Sequence, residues 1–510
     1  MVLPPHPSWN QAKARGFFRV IRASRGPSAF PVDNLHLNHY TAFVDKVRLG
    51  QRVGRKTEFA PAALPGSRRP SGKDAFHWVP HLHPPAPTDQ ARFLALPRGS
   101  GCPCSGKTRN PVAKYRFWAK LSPNLILKLP MDKLTFPPFD LVRLLKTVFA
   151  PKPGERVAIL IDLPDPAAVR DFAFLHQPAL TIQRHAYEVF YQGLRQRGLA
   201  ELHLTGGELF AYQITGGSNL DLPDQAFAPD GGEKSLARVI YPHYDIILCI
   251  STYSATAPLT AFAKQFGFRG ATLHGLNDII LRTGLAVDYN EVSRQAEKLR
   301  LGLTRADSFE IDFQFQGQKH TLKLLCDRQE AHKSHGLCRG ETPDVANLPA
   351  GEVYYVPKSA EGVFPLRYED GTIGLMEVSG GRIQKAVLAQ GHQETVDAHN
   401  RKLAGDPVTG EIGELGFGTQ ELPPSGRDIQ DEKILGTLHV ATGRSDHLGG
   451  HLTPDKFAQA KNATHDDILF SPTKTPEILV PQARMFRGAQ QETVIENYRP
   501  SAYLRKLLAS

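Results

Sequence analysis

Cysteine is scarce in this chain of 510 residues. Five are present, Cys102, Cys104, Cys249, Cys326 and Cys338, an odd number with no Cys-x-x-Cys pair. Nothing there suggests a disulfide framework or a thiolate zinc site, and a reducing, cytoplasmic compartment is expected. Long hydrophobic runs are lacking too. The longest, VAILIDL at 157–163 and IILCI at 246–250, are far too short to span a bilayer and read as buried strands. No membrane association is expected. Acidic side chains are absent from the first thirty residues, which carry five basic ones.

That last absence locates the charge. The formal net charge of +10 suggests a nucleic-acid partner until it is divided along the chain. Residues 1–130 hold 21 basic and 5 acidic side chains, whereas residues 131–510 hold 40 and 46. The body of the protein is mildly acidic, so the charge carries no nucleic-acid inference.

Residues 1–130 are rich in Pro, Arg and His and show no sustained period of 2 or 3.6, which predicts a disordered or weakly ordered segment. AKARGFFRVIRAS has the composition of a basic amphipathic presequence. The alternative is that translation starts at Met131, where the composition changes abruptly, so that residues 1–130 are not part of the mature chain. GCPCSGKT at 101–108 matches the phosphate-binding loop letter for letter, but Pro97, Pro103 and Pro111 deny it the strand, the backbone N–H groups and the helix that such a loop needs.

The remainder divides by texture into 131–304 and 305–510. The first part alternates apolar strands (VAILIDL, AELHLTG at 200–206, YDIILCIST, GATLHGL) with helices (AVRDFAFLHQ, QRHAYEVFYQGLRQRG, YNEVSRQAEKLRLGLTRA). It reads as an α/β N-terminal domain, with Gly198 as a helix C-cap. The second alternates strands with Gly-rich turns and reads as a β-rich α+β catalytic domain with hairpins at its DG and GG turns.

That second part gathers residues able to hold a metal. Glu352 follows a Pro-Ala-Gly turn, Glu411 and Glu414 lie in TGEIGELGFG, His439 in KILGTLHVATG, and His465 and Asp467 in NATHDDILF. Residues two apart on a strand point to the same side, so His465 and Asp467 can grip one ion. Imidazole with carboxylate suits a divalent metal ion, Zn, Co, Mn or Fe(II), and needs no thiolate. His447 and His451 are four apart in SDHLGGHL, but Gly-Gly argues for a loop beside the site rather than a helical face.

The order NLPAGEV, IGELG, HVATG, HDD resembles that of the aminopeptidase T-type metallopeptidases. The resemblance implies Glu352, Glu414, His439, His465 and Asp467 as metal ligands and Glu414 as general base. It further implies an aminopeptidase acting on a peptide or small amide, and a homodimer. Where that family has a further ligand Glu, this chain has Ile434, with Glu432 two residues earlier as a substitute on the same strand face. Where it has a catalytic Tyr, this chain has Asp446. His439, His465 and Asp467 alone also resemble the two-histidine, one-carboxylate Fe(II) site of the 2,5-dihydroxypyridine ring-opening dioxygenases. A binding protein on the same scaffold is the third reading.

Overall fold

A computed structural model describes residues 134–510. The basic segment 1–130, its presequence-like stretch, the start at Met131 and the GCPCSGKT loop lie outside the described residues, as do Cys102 and Cys104. The fold is mixed α/β and built on three sheets. Cys249, Cys326 and Cys338 are buried and unpaired. No described helix is long and apolar enough to cross a membrane.

The first sheet runs β10-β6-β5-β1-β2-β3-β4. Its strands are β1 (Arg156–Leu163), β2 (Thr205–Gln213), β3 (Gln225–Phe227), β4 (Glu233–Ser235), β5 (Ile246–Ile250), β6 (Arg269–Thr272) and β10 (Val345–Asn347). β1, β2, β5, β6 and β10 are parallel. Both faces of such a sheet are covered, which is why VAILIDL reads as one apolar run. Val157, Ile159 and Ile161 enter the core on one face, and Ala158 and Leu160 enter the core on the other.

Two antiparallel sheets follow. The eight-stranded one runs β14-β13-β12-β8-β7-β18-β19-β20. Its strands are β7 (Ser308–Phe315), β8 (Gln318–Leu325), β12 (Ser359–Arg367), β13 (Ile373–Ser379), β14 (Arg382–Gln390), β18 (Leu479–Arg487), β19 (Gln490–Glu496) and β20 (Arg499–Pro500). The five-stranded one runs β17-β16-β15-β11-β9. It consists of β9 (His332–Ser334), β11 (Glu352–Tyr355), β15 (Ile412–Gly418), β16 (Leu438–Gly443) and β17 (His465–Phe470). One apolar core joins these two sheets, with Phe313, Phe364 and Phe470 in mutual contact within it. The helix Tyr289–Leu303 buries Tyr289, Val292, Ala296, Leu299 and Leu303, one stripe at helical spacing, and Asp288 caps it through the Asn290 N–H.

Three local expectations are corrected. AELHLTG is not a strand: the helical run continues to Glu201, and β2 begins at Thr205. Leu202 and Leu204 are buried and Glu201 and His203 exposed, so the alternation is real but belongs to the chain leaving a helix. Gly198 has φ −60° within that run and is no cap. The stretch at Pro166–His176 forms 3₁₀ turns rather than a helix, because Arg170, Asp171 and Phe172 leave helical geometry. There the Asp171 N–H donates to the Pro229 carbonyl instead of along a helix.

Candidate metal centre

Four neighbouring strands of the five-stranded sheet, β11, β15, β16 and β17, present the sequence-expected ligands on one face. Across the ladder, Glu352 lies opposite Gly418, His439 opposite Gly416, Glu414 and Asp467 both opposite Ala441, and His465 opposite Gly443. Every functional side chain thus has Gly or Ala beside it. Side chains directly opposite on antiparallel strands stand about 4.5–5.5 Å apart, so large neighbours would fill the space where these groups meet. Glu352 is delivered by Gly351 at φ +125°, a backbone that glycine adopts readily, and a Cβ there would run into Gln420.

The side chains converge. His465 Nε2 is 3.0 Å from Glu414 Oε2 and 3.3 Å from Asp467 Oδ1. His439 Nε2 is 3.4 Å from Glu414 Oε1, 3.7 Å from Glu352 Oε2 and 4.0 Å from Asp467 Oδ1. His465 Nδ1 lies 2.6 Å from the Arg444 carbonyl, which can only accept, so Nδ1 carries the proton and Nε2 faces the carboxylates. This is the outer hydrogen bond that usually orients a metal-bound imidazole. His439 Nδ1 has no such partner among the described residues.

Glu432 joins the group, but not from a strand face. It ends the short helix Asp428–Asp431, and its carboxylate reaches His439 and Asp467 from there. Lys433, which sequence reasoning missed, is fully buried, with its Nζ 2.8 Å from Glu352 Oε2 and 2.5 Å from Glu432 Oε1. Asp446 is not among the converging donors: Arg444 holds its carboxylate at 2.7 Å and 3.2 Å. Glu411 pairs with Arg382 and His451 instead. His447 lies in a loop beside the site, its ring edge-on to His465 at 4.9 Å, while the His451 side chain is 80% exposed.

The site draws in positive charge, as imidazole protons or as a metal ion in their place. Four carboxylates, Glu352, Glu414, Glu432 and Asp467, share the site with a single ammonium, and only Asp467, 29% exposed, has appreciable contact with solvent. Burial pushes the Glu432 carboxyl up to about 8 despite the attraction of Lys433. Burial opposes protonation of His439, yet hydrogen bonding and attraction from Glu414 outweigh it and carry its pKa up to about 10. Burial would also raise the Glu414 carboxyl, but His439 and His465 hold it below the usual range. A divalent ion competes with those imidazole protons for the same Nε2 atoms, and buried carboxylates must be paired or coordinate metal. Three sets of donors, Glu352/Glu414/His439, Glu414/His465/Asp467 and Glu432/His439/Asp467, each lie within 4.8 Å of one another. The residues therefore fit a metal ion.

The donors line one side of a cavity of about 160 Å³. Asn219, Thr256, His274 and Asn347 line another part of it. These residues follow or end β2, β5, β6 and β10, at the carboxyl ends of the parallel strands. Ligands of open α/β sheets characteristically bind outside those ends. His274 is held largely neutral, burial lowering its pKa to about 4, and its Nδ1 has no hydrogen-bond partner among the described residues.

No protein-family model matches the chain, and no curated protein does. Among solved structures, the chain is similar to 2,5-dihydroxypyridine dioxygenase from Pseudomonas putida KT2440, at 14% identity over 68% of this chain and 92% of that one, with a TM-score of 0.44. So distant a likeness bears on neither activity nor substrate, and the functional reading rests on the site itself.

Proposed function

We propose that the chain is a metal-dependent enzyme for a small substrate, with His439, His465 and Asp467 as ligands and oxygen-dependent ring opening as its reaction. The observation behind this reading is the cavity of about 160 Å³ against the donors. A cavity of about 150 Å³ accepts benzene, so one substituted ring fits beside the donors. Fe(II), which suits two histidines and one carboxylate, supplies activation of dioxygen when bound. Glu414, with Oε2 3.0 Å from His465 Nε2, would accept the proton of a ring hydroxyl. His274 and Asn347 would orient the ring from the sheet side of the cavity. Both atoms of dioxygen enter the product as one ring C–C bond breaks, so no separate reductant is consumed.

Hydrolysis of the aminopeptidase T type is the second reading, and one observation favours it. Glu414 belongs both to the group with Glu352 and His439 and to the group with His465 and Asp467, as a carboxylate bridging two ions would. The metal would then be Zn, Co or Mn, with Glu414 as base toward a peptide or small amide. Against this reading stands Asp446, which replaces the family tyrosine and is engaged by Arg444.

Metal-stripped protein, reloaded anaerobically with Fe(II) or separately with Zn, Co or Mn, separates the readings. Oxygen uptake on hydroxylated aromatic and pyridine rings with Fe(II) alone supports ring opening. Release of N-terminal amino acids without oxygen uptake overturns it in favour of hydrolysis. Metal retention with neither activity leaves a binding protein.

A further inference from the structure

We propose that Lys433 is the resident cation of this site, its ammonium holding Glu352 and Glu432 where a second metal ion would otherwise bind, so that the chain takes up a single ion. The inference rests on the metal-site reading above and goes beyond it by fixing the number of ions.

The donors fall into overlapping groups, and two of the three groups depend on Glu352 or Glu432. Those two carboxylates are the pair that Lys433 engages, at 2.8 Å and 2.5 Å. The lysine side chain is 1% exposed, so its charge cannot turn outward to water. A buried ammonium needs such partners, because an unpaired charge in the interior is strongly disfavoured. The backbone fixes it as well: the Lys433 carbonyl accepts the Gln420 N–H at 2.8 Å, beside the strand that carries Glu414. A second dication on those carboxylates would stand next to this ammonium and repel it. The group that stays clear of Lys433, Glu414 with His465 and Asp467, has no lysine or arginine bonded to it, and His439 stands beside it with Nε2 4.0 Å from Asp467 Oδ1, so one ion can be held there.

The test is a count of ions on the full chain. Stripped protein is titrated with Co(II), followed by its visible absorption, and the bound metal is measured by mass spectrometry. Wild type is expected to saturate at one ion per chain. Lys433→Met, which leaves Glu352 and Glu432 without a cation, is expected to take up a second ion and to gain thermal stability when it does. The triple variant Lys433→Met, Glu352→Gln, Glu432→Gln leaves no charge unpaired, guarding against a single variant that fails to fold, and is expected to bind one ion. Two ions in wild type overturn the role of Lys433 while leaving a metal site in place, as does a folded Lys433→Met that stays at one. No ion in any variant overturns the metal reading itself. The reaction class is read separately, from oxygen uptake.

Discussion

Gly416 lies directly across the ladder from His439, and the imidazole occupies the space that a side chain at Gly416 would need. A Cβ built there meets Cε1 and Nε2 of the ring, the latter being the atom that faces the carboxylates. Gly416→Ala should therefore displace the His439 ring, lower stability by about 1–3 kcal/mol and weaken metal retention. Wild-type metal content together with an unchanged denaturant midpoint would remove His439 from the site.

His465→Ala is the sharpest test of the metal reading. It removes an imidazole whose Nδ1 is anchored on the Arg444 carbonyl and whose Nε2 lies closest to Glu414 and Asp467. The variant should fold and lose bound metal through dialysis. Full retention sinks the assignment of the site.

Arg269 at the start of β6 donates to both oxygens of Glu155, at 2.7 Å and 2.8 Å, and to the carbonyls of Phe149 and Cys338. With side chains 6% and 16% exposed, this pair is buried, and removing one partner of such a pair costs about 3–5 kcal/mol. Arg269→Met should lose stability on that scale in urea. Arg269→Lys should recover only part of it, since an ammonium cannot make the same two-pronged bond. A lysine variant as stable as wild type contradicts this.

Glu297 has its carboxyl lowered to about 2, chiefly by its hydrogen bond to Arg300 and against its own burial, with Lys333 contributing further. A depressed acid stabilises the fold above its ordinary pKa, here 4.5, and that contribution disappears as pH falls through about 2. The stability gap between wild type and Glu297→Gln should thus be full from about pH 5 upward and narrow toward about pH 2.5. Paired denaturation curves at the two pH values check this, and a gap constant across the range refutes it.

The candidate site was legible in the sequence where strand alternation does the work. His465 and Asp467 are two apart on β17 and share a face, and Glu414 and His439 fall on the same face of the neighbouring strands β15 and β16. Glu432 was legible as a contributor but not as to how it arrives, because the position before β16 is a helix end rather than more strand. Lys433 and His274 were not legible. Lys433 reaches Glu352, 81 positions away in sequence, and His274 lies just past the end of β6, where strand alternation no longer marks which way a side chain faces. For the fold, periodicity located β1, β5 and the helix Tyr289–Leu303 but misplaced β2, since Leu202 and Leu204 alternate in burial without belonging to a strand.

NLPAGEV has a meaning that neither of its ends reveals alone. Asn347 closes β10 in the parallel sheet, Glu352 opens β11 beside the metal donors, and four residues, Leu348 to Gly351, join them. Two lining segments of the cavity are therefore tied by a strap of four residues, and each end is held by hydrogen bonds to a neighbouring strand. A displacement of either strand beyond the slack of those four residues must pull on the other.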